Sequence, residues 1–118
     1  MELIKNMEHA KVLALKDQIE YEDGKVSSVT LAKQPGVGVT LLAFDADESI
    51  SSHAAGGDAF VYALEGDVEI TVGGVLHVLH EGDSIVMPCG IPHSLHALSR
   101  YKMLLVVVFP ASSDGGEE

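Results

Sequence analysis

The stretch Gly82–His93, "GDSIVMPCGIPH", places a short apolar run between residues that have defined backbone roles. It opens with a Gly-Asp pair suited to a turn, and residues 84–87 are predicted as a β-strand. Pro88 ends that strand because its ring fixes φ and removes the backbone donor, while Gly90 gives the next loop conformational freedom. The histidine that follows begins another β-prone run. The stretch therefore predicts two strands joined by a constrained loop.

The same alternation of β-prone runs and turn residues extends along the chain. Asp23–Gly24 and Gly73–Gly74 supply the positive φ angles that tight hairpin turns require. Strands are predicted at residues 26–32, 37–45, 58–65, 68–72, 75–80, 84–87, 93–98 and 103–109. This spacing predicts an antiparallel β-sandwich or barrel. Residues 2–10 instead have the apolar spacing of a helix, so a short N-terminal helical segment is expected.

The length and composition of the chain indicate one domain with more hydrophobic residues than its own core needs. A chain of 118 residues is the length of one ordinary domain. We expect residues 1–110 to form that domain and residues 111–118 to be a disordered acidic tail, because "SSDGGEE" has no apolar residue to bury. Hydrophobic residues make up 47% of the chain, so a homodimer that buries the surplus is also expected.

Charge and patterning argue against two classes of partner. Seven Lys and Arg residues against 18 Asp and Glu residues give a net charge of −11, which would repel the phosphates of a nucleic acid. The longest unbroken apolar run, Met103–Phe109, has seven residues, far fewer than the roughly 20 of a membrane-spanning helix. The N-terminal segment lacks the pattern of a signal peptide, so a cytoplasmic location is predicted. The single cysteine, Cys89, excludes an internal disulfide.

With the strands placed, the chain resembles a small single-domain cupin, whose fold is an antiparallel jelly-roll β-barrel. The second cupin motif reads G-x5-P-x-G-x2-H-x3-N. Gly82, Pro88, Gly90 and His93 match it, and Ala97 stands where the motif has Asn. The glycines and the proline have backbone roles, so their presence favours the fold strongly.

The first cupin motif, G-x5-H-x-H-x3-E-x6-G, is degenerate in this chain. His53 and Gly66 match it with the correct total length. Asp47 replaces the opening Gly, Ala55 the second His and Ala59 the Glu. The fold is expected to survive these changes, because the glycine that ends the motif is retained.

The resemblance implies a metal site that has lost half of its ligands. In the family, the two His and the Glu of the first motif and the His of the second bind a divalent metal. Here His53 and His93 remain as candidate metal ligands, fewer than the three protein ligands usual at catalytic zinc. If a metal is bound, Mn, Fe, Ni or Zn would be the candidates.

Other residues could repair the site only at the expense of strand geometry. Asp58 precedes the lost Glu position by one residue, so in a regular strand it points away from the side of Ala59. His96 faces away from His93 for the same reason. Cys89 lies in the loop before His93 and is a softer candidate, although a small buried apolar residue is the commoner interpretation.

Three functions are consistent with these sequence features. The leading hypothesis is a small-molecule-binding cupin with a reduced or absent metal site, since two alanines in place of ligands should widen the cavity and make it more apolar. The predicted pocket residues are His53, Asp58, Tyr62, Met87, His93 and Leu95.

The alternative is a metal-dependent cupin enzyme of oxygenase or isomerase type that uses His53 and His93. Metal-free acid–base catalysis by the same histidines is a variant of that alternative, although the cavity lacks the basic residues that a sugar-nucleotide substrate would need. A non-catalytic dimer whose barrel is simply a packed core is the third possibility. For the dimer, the resemblance implies exchange or packing of terminal strands, for which residues 12–15 are suited. The run "YKMLLVVVF" suits a central strand covered on both faces.

Overall fold

A computed structural model describes residues 1–111, so the predicted tail lies outside the described residues except for Ala111. Within them the chain forms two antiparallel β-sheets. The first sheet has five strands, in the order β1 (Val26–Gln34), β2 (Val37–Phe44), β9 (Tyr101–Val108), β4 (Asp58–Glu65) and β7 (Ser84–Met87). The second sheet has four strands, in the order β3 (Ser49–His53), β8 (His93–Ala97), β5 (Val68–Val72) and β6 (Val75–Leu79). The predicted all-β barrel fold is confirmed.

Each predicted strand is present, with ends that differ by at most two residues, and one strand was missed. β3 has the sequence "SISSH", in which a single apolar residue, Ile50, gives little β-strand signal. It is held in the sheet by pairing with β8, where Ser49 lies opposite His96 and Ile50 opposite Leu95. The strand that carries His53 therefore depends on its partner more than on its own sequence.

A short N-terminal helical segment is present, as the 3-10 helix Leu15–Gln18. Residues 2–10, where the helix was predicted, form bends instead. Asn6 and Ala10 have φ angles of 62° and 56°, which interrupt a right-handed helix. The Lys5 N–H donates to the Leu31 carbonyl at 2.6 Å, and the Asn6 amide donates to the Thr30 carbonyl at 2.7 Å. A nine-residue helix is marginal alone, and here hydrogen bonds to the edge of β1 replace it.

The main core lies between the two sheets and contains the inward-facing residues of both. Its largest fully buried side chains include Tyr101, Phe44, Ile70, Met87 and Met103. A second, smaller cluster covers the outer side of the five-stranded sheet, where Ile19 packs with Leu31, Leu41 and Ala43. Leu104 of β9 packs against this second cluster, so the central strand has apolar contacts on both faces within one chain. No helix within residues 1–111 is long and apolar enough to cross a membrane.

Two glycines are required by close approach of the backbone. Gly66, the retained glycine of the first motif, has a φ of +82°, and a Cβ atom there would overlap the Arg100 carbonyl. A Cβ atom on Gly57 would overlap the Val108 carbonyl. These contacts fix the two ends of β4 against the neighbouring chain segments and so hold the strand that lines the cavity.

Candidate ligand-binding site

His53 and His93 are brought together by the pairing of β3 with β8. Their Cα atoms are register partners, although the register shifts between Ile50 and His53. This bulge re-aims the end of β3, as β-bulges commonly do beside functional sites. The two rings lie edge to face, with centroids 4.4 Å apart and an interplanar angle of 70°.

The ring nitrogens of this histidine pair make three contacts. The two Nε2 atoms are 3.2 Å apart. The Nδ1 atom of His53 lies 3.0 Å from the Ser51 carbonyl oxygen, and that of His93 lies 3.3 Å from the Ile91 carbonyl oxygen. Because a carbonyl oxygen only accepts, each Nδ1 must carry a hydrogen to make its bond.

A count of hydrogens shows that two neutral rings cannot satisfy all three contacts. Both Nδ1 contacts and the Nε2–Nε2 contact each need one hydrogen, and two neutral imidazoles supply two. With both Nδ1 atoms donating, two bare Nε2 lone pairs face each other. A donor or a cation from outside the chain, placed at the Nε2 atoms, would remove this deficit.

The two histidines differ in their exposure. His93 is 2% exposed, whereas His53 is exposed to solvent. Burial lowers the pKa of His93 below its ordinary value of 6.5, the neighbouring His53 lowers it further, and the Ile91 carbonyl opposes the shift. His93 is therefore neutral at pH 7 and acts inside the site as a hydrogen-bonding group, while His53 lies at its solvent side.

The cavity next to the histidine pair is small and has apolar walls. Its volume is about 90 Å³, compared with about 300–1,000 Å³ for pockets that hold drug-sized ligands. It is lined by residues of both sheets: Leu42, Ile50, His53, Ala55, Ala59, Met87, His93, Leu95, Met103, Leu105 and Val107. The widening expected from the two alanines is limited, because the flexible side chains of Met87 and Met103 occupy the barrel interior.

The structure brings together four of the six predicted pocket residues: His53, Met87, His93 and Leu95 all line the cavity. Asp58 and Tyr62 do not line it and lie on the outer face of β4, which alternates between exposed and buried residues. The Asp58 carboxylate accepts a hydrogen bond from the Cys89 N–H at 2.8 Å and thus anchors the loop after β7. Tyr62 is 38% exposed.

Sequence reasoning missed the contribution of β9 to the cavity wall. Met103, Leu105 and Val107 are alternate residues of one strand and share the inner face. The run "YKMLLVVVF" is apolar on both faces, so it gives no contrast from which the inner residues could be chosen. Once one of these three residues had been placed inside the barrel, the two-residue period of a strand would have identified the other two.

The described residues do not complete the metal site of the family. Within residues 1–111, no group of three or more His, Cys, Asp or Glu side chains is placed to hold a metal ion. Cys89 is exposed, so its interpretation as a small buried residue was wrong, and it does not line the cavity. His96 lies outside, 3.5 Å from Asp47 and 3.6 Å from Glu69. Two imidazoles are the nitrogen ligands that residues 1–111 offer at the cavity.

Comparisons with known proteins agree on the family. The family model described as "Cupin domain" matches residues 40–109. A conserved protein of unknown function from Streptococcus pyogenes is 42% identical, with a TM-score of 0.92, and the match covers 95% of this chain and 98% of that chain. A cupin superfamily protein from Desulfitobacterium hafniense is 28% identical, with a TM-score of 0.87 and coverage of 91% and 98%.

A Cupin 2 conserved barrel domain protein from Leptotrichia buccalis is 35% identical, with a TM-score of 0.77, over 79% of this chain and 45% of that chain. No match was found among curated proteins. The family match extends over more than half of the chain and includes both cupin motifs. The chain belongs to the cupin family.

Proposed function

We propose that this cupin binds a small molecule in its barrel cavity, through the Nε2 atoms of His53 and His93. The observation that carries the proposal is the 3.2 Å contact between these atoms beside apolar walls. A ligand site usually has a small number of polar groups that converge in an otherwise apolar cavity. Both Nδ1 atoms are occupied by backbone carbonyls, so the Nε2 atoms are the ones that can interact with a ligand.

The hydrogen deficit of the pair indicates the chemistry of the ligand. A hydroxyl or ammonium group can donate to an Nε2 lone pair that is otherwise opposed by another lone pair. The volume of about 90 Å³ restricts the enclosed part to a few heavy atoms. We therefore assign a ligand, or the end of a longer ligand, that combines a short apolar group with a hydrogen-bond donor.

The placement of the two histidines supports an order of contacts during binding. His53 is exposed, so a ligand meets it first, and His93 lies deeper among Met87, Leu95 and Met103. The apolar part of the ligand would be removed from water against these side chains, at about 25 cal/mol per Å² of buried apolar surface. The donor group would then remain at the histidine pair. The cytoplasmic location stays a prediction of the sequence.

Three probes with three carbon atoms each test the ligand class: 1-propanol, propylammonium and propionate. Binding is followed by the NMR signals of the His53 and His93 rings in untagged protein at pH 7. We expect the two donors to bind with saturation and propionate to bind weakly or not at all. Tightest binding of propionate would contradict the donor assignment and indicate a protonated pair. No binding of any probe, together with a native mass per chain equal to that of the polypeptide alone, would favour a packed structural barrel.

A metal-dependent enzyme of oxygenase or isomerase type is the second candidate, and the same contact favours it. Two nitrogens each about 2.0–2.1 Å from one zinc ion are separated by a little over 3 Å in tetrahedral geometry, close to the 3.2 Å found here. The site lacks a third protein ligand, so we derive no reaction step from it. Metal analysis of untagged protein purified without chelator decides the matter. Near-stoichiometric Mn, Fe, Ni or Zn that is lost in His53→Ala and His93→Ala would replace the binding proposal.

A further inference from the structure

The two sheets have four edge strands, and three of them are protected against pairing with another chain. β1 has a register shift between Thr30 and Ala32, and Lys5 and Asn6 bond to its edge carbonyls. β3 also has a register shift and contains three serines. β7 has four residues. Bulges, coverage by another segment and short length are the means by which proteins keep sheet edges from associating.

Within the described residues, β6 has none of these protections. Its ladder with β5 runs from Val68 opposite Leu79 to Val72 opposite Val75 without a register shift. The strand sequence, "VLHVL", contains no proline and no Lys, Arg, Asp or Glu. Val75, Leu76 and Val78 are 58%, 54% and 45% exposed, so apolar side chains are open on both of its faces. An exposed, regular and apolar edge of this kind is a template for another strand.

The edge of β6 also has backbone groups available for pairing. In an antiparallel pair, every second residue directs its N–H and C=O away from the neighbouring strand. The two-residue turn Gly73–Gly74 makes Val72 and Val75 a hydrogen-bonded pair, so Val75 directs its backbone groups toward β5. By alternation, the residues of β6 that direct their backbone groups away from β5 are Leu76 and Val78. Within residues 1–111, neither has a backbone hydrogen bond to a loop or a side chain.

We propose that β6 pairs in antiparallel register with β6 of a second copy of the chain, with His77 on the two-fold axis. In this register Leu76 lies opposite Val78 of the other copy, and Val75 lies opposite Leu79. On either side of His77, every cross-strand pair then joins two apolar side chains, both on the inner face and on the outer face of the sheet. The two free residues, Leu76 and Val78, form the hydrogen-bonded pairs, and the two four-stranded sheets become one continuous sheet of eight strands.

The symmetry of the strand identifies the partner as a second copy. A two-fold interface requires a surface that is complementary to itself. The order apolar, apolar, His, apolar, apolar reads the same in both directions, which satisfies this requirement. The chain has a net charge of −11, and β6 is a segment without acidic side chains at which two copies can meet. This interface is independent of what the cavity binds.

The mass of the protein in solution tests the interface, by sedimentation equilibrium over a range of concentrations. Val78→Lys places a charge on the outer face of β6, where the wild-type side chain is exposed, so folding should be retained. Val86→Lys is the matched control, because Val86 is 52% exposed on the outer face of the other sheet. We expect a dimer for the wild type and Val86→Lys, and a monomer for Val78→Lys. A monomeric wild type, or a dimer broken only by Val86→Lys, would overturn the proposal.

A disulfide tests the register. His77 faces its own copy across the axis in a non-hydrogen-bonded pair, in which the two Cα atoms are about 4.5 Å apart. His77→Cys in a Cys89→Ser background should therefore form an intermolecular disulfide on oxidation, because disulfides join Cα atoms that are about 4.4–6.8 Å apart. Leu76→Cys in the same background should not, because its counterpart lies about 7–8 Å away on the diagonal. Cross-linking of Leu76→Cys with no cross-linking of His77→Cys would contradict this register.

Discussion

The Nε2 atoms of His53 and His93 lie 3.2 Å apart, although 40 residues separate them in the chain. The distance is set by the backbone, since both Nδ1 atoms face carbonyls two residues earlier in their own segments. The same local arrangement at both positions orients both rings toward one point. A pair oriented in this way is prepared for a group between the Nε2 atoms, and that explains why we place the ligand there.

His53→Gln should weaken binding without weakening the fold. His53 is exposed, and exposed substitutions usually change the free energy of unfolding by less than about 0.5 kcal/mol. Loss of one hydrogen bond, about 1 kcal/mol, should lower the affinity for 1-propanol about fivefold. His96→Gln is the control, because His96 is half-buried outside the cavity. NMR titration gives the affinity and urea denaturation the stability; equal affinities in the two variants would contradict the site.

Ala55→His should turn the histidine pair into a three-nitrogen site. Ala55 occupies the position of the second motif histidine and lines the same cavity as His53 and His93. Three imidazoles reach the ligand number of catalytic zinc, so we expect the affinity for Zn²⁺ to rise at least tenfold by isothermal titration calorimetry, about 1.4 kcal/mol. Ala54→His, one residue away and exposed, should give no such gain. Similar affinities for both variants would mean that position 55 does not reach the Nε2 atoms.

Met87→Ala should enlarge the cavity at a measurable cost in stability. Met87 is 2% exposed and lines the cavity wall. Truncation of a buried methionine costs about 2–5 kcal/mol, and an apolar cavity made in this way can bind benzene. Benzene should therefore raise the unfolding temperature of Met87→Ala and leave that of Met7→Ala unchanged, since Met7 packs in the other cluster. Equal responses of the two variants to benzene would show that the cavity does not expand at Met87.

Turn and motif residues made the fold predictable from the sequence. Glycines such as Gly66 and Gly82 adopt positive φ, and Pro88 follows the last residue of β7, as the motif requires. Their roles are local, so a single sequence is sufficient to identify them. β3 was missed because its stability comes from β8, which no local pattern in "SISSH" reveals.

The lining of the cavity was predicted in part, because alternation along a strand was applied to some residues only. The rule placed Asp58 on the outer face of β4, and that is where it lies. Tyr62 is four residues further along the same strand and shares that face by the same rule. Both Asp58 and Tyr62 were nevertheless included in the predicted pocket. The Nε2–Nε2 contact depends on the bulge in β3, and the register of a bulged strand is a tertiary property.

His80 should titrate above its ordinary pKa of 6.5, because its ring is hydrogen-bonded to Asp67 at 2.7 Å. The charge of Asp67, and to a smaller extent that of Asp83, also raises the pKa. The folded state then binds the proton more tightly than the unfolded chain, so this contribution to stability is present below pH 6.5 and is lost as the pH rises through the folded value. In an NMR titration, Asp67→Asn should lower the pKa of His80 and leave that of His93 unchanged. An unchanged pKa of His80 in Asp67→Asn would show that the ion pair does not form in solution.

Gly66→Ala and Gly74→Ala separate backbone strain from close approach, because the two glycines have φ angles of +82° and +83°. A Cβ atom on Gly74 would have no heavy atom of residues 1–111 within 4 Å, whereas one on Gly66 would overlap the Arg100 carbonyl. Gly74→Ala should therefore cost only the left-handed conformation, about 1–2 kcal/mol. Gly66→Ala must also displace the backbone before β9, so we expect it to cost at least about 2 kcal/mol more by urea denaturation. Equal losses of stability in the two variants would mean that the backbone at Arg100 moves at no measurable cost. Gly66 would then be required only for its positive φ angle.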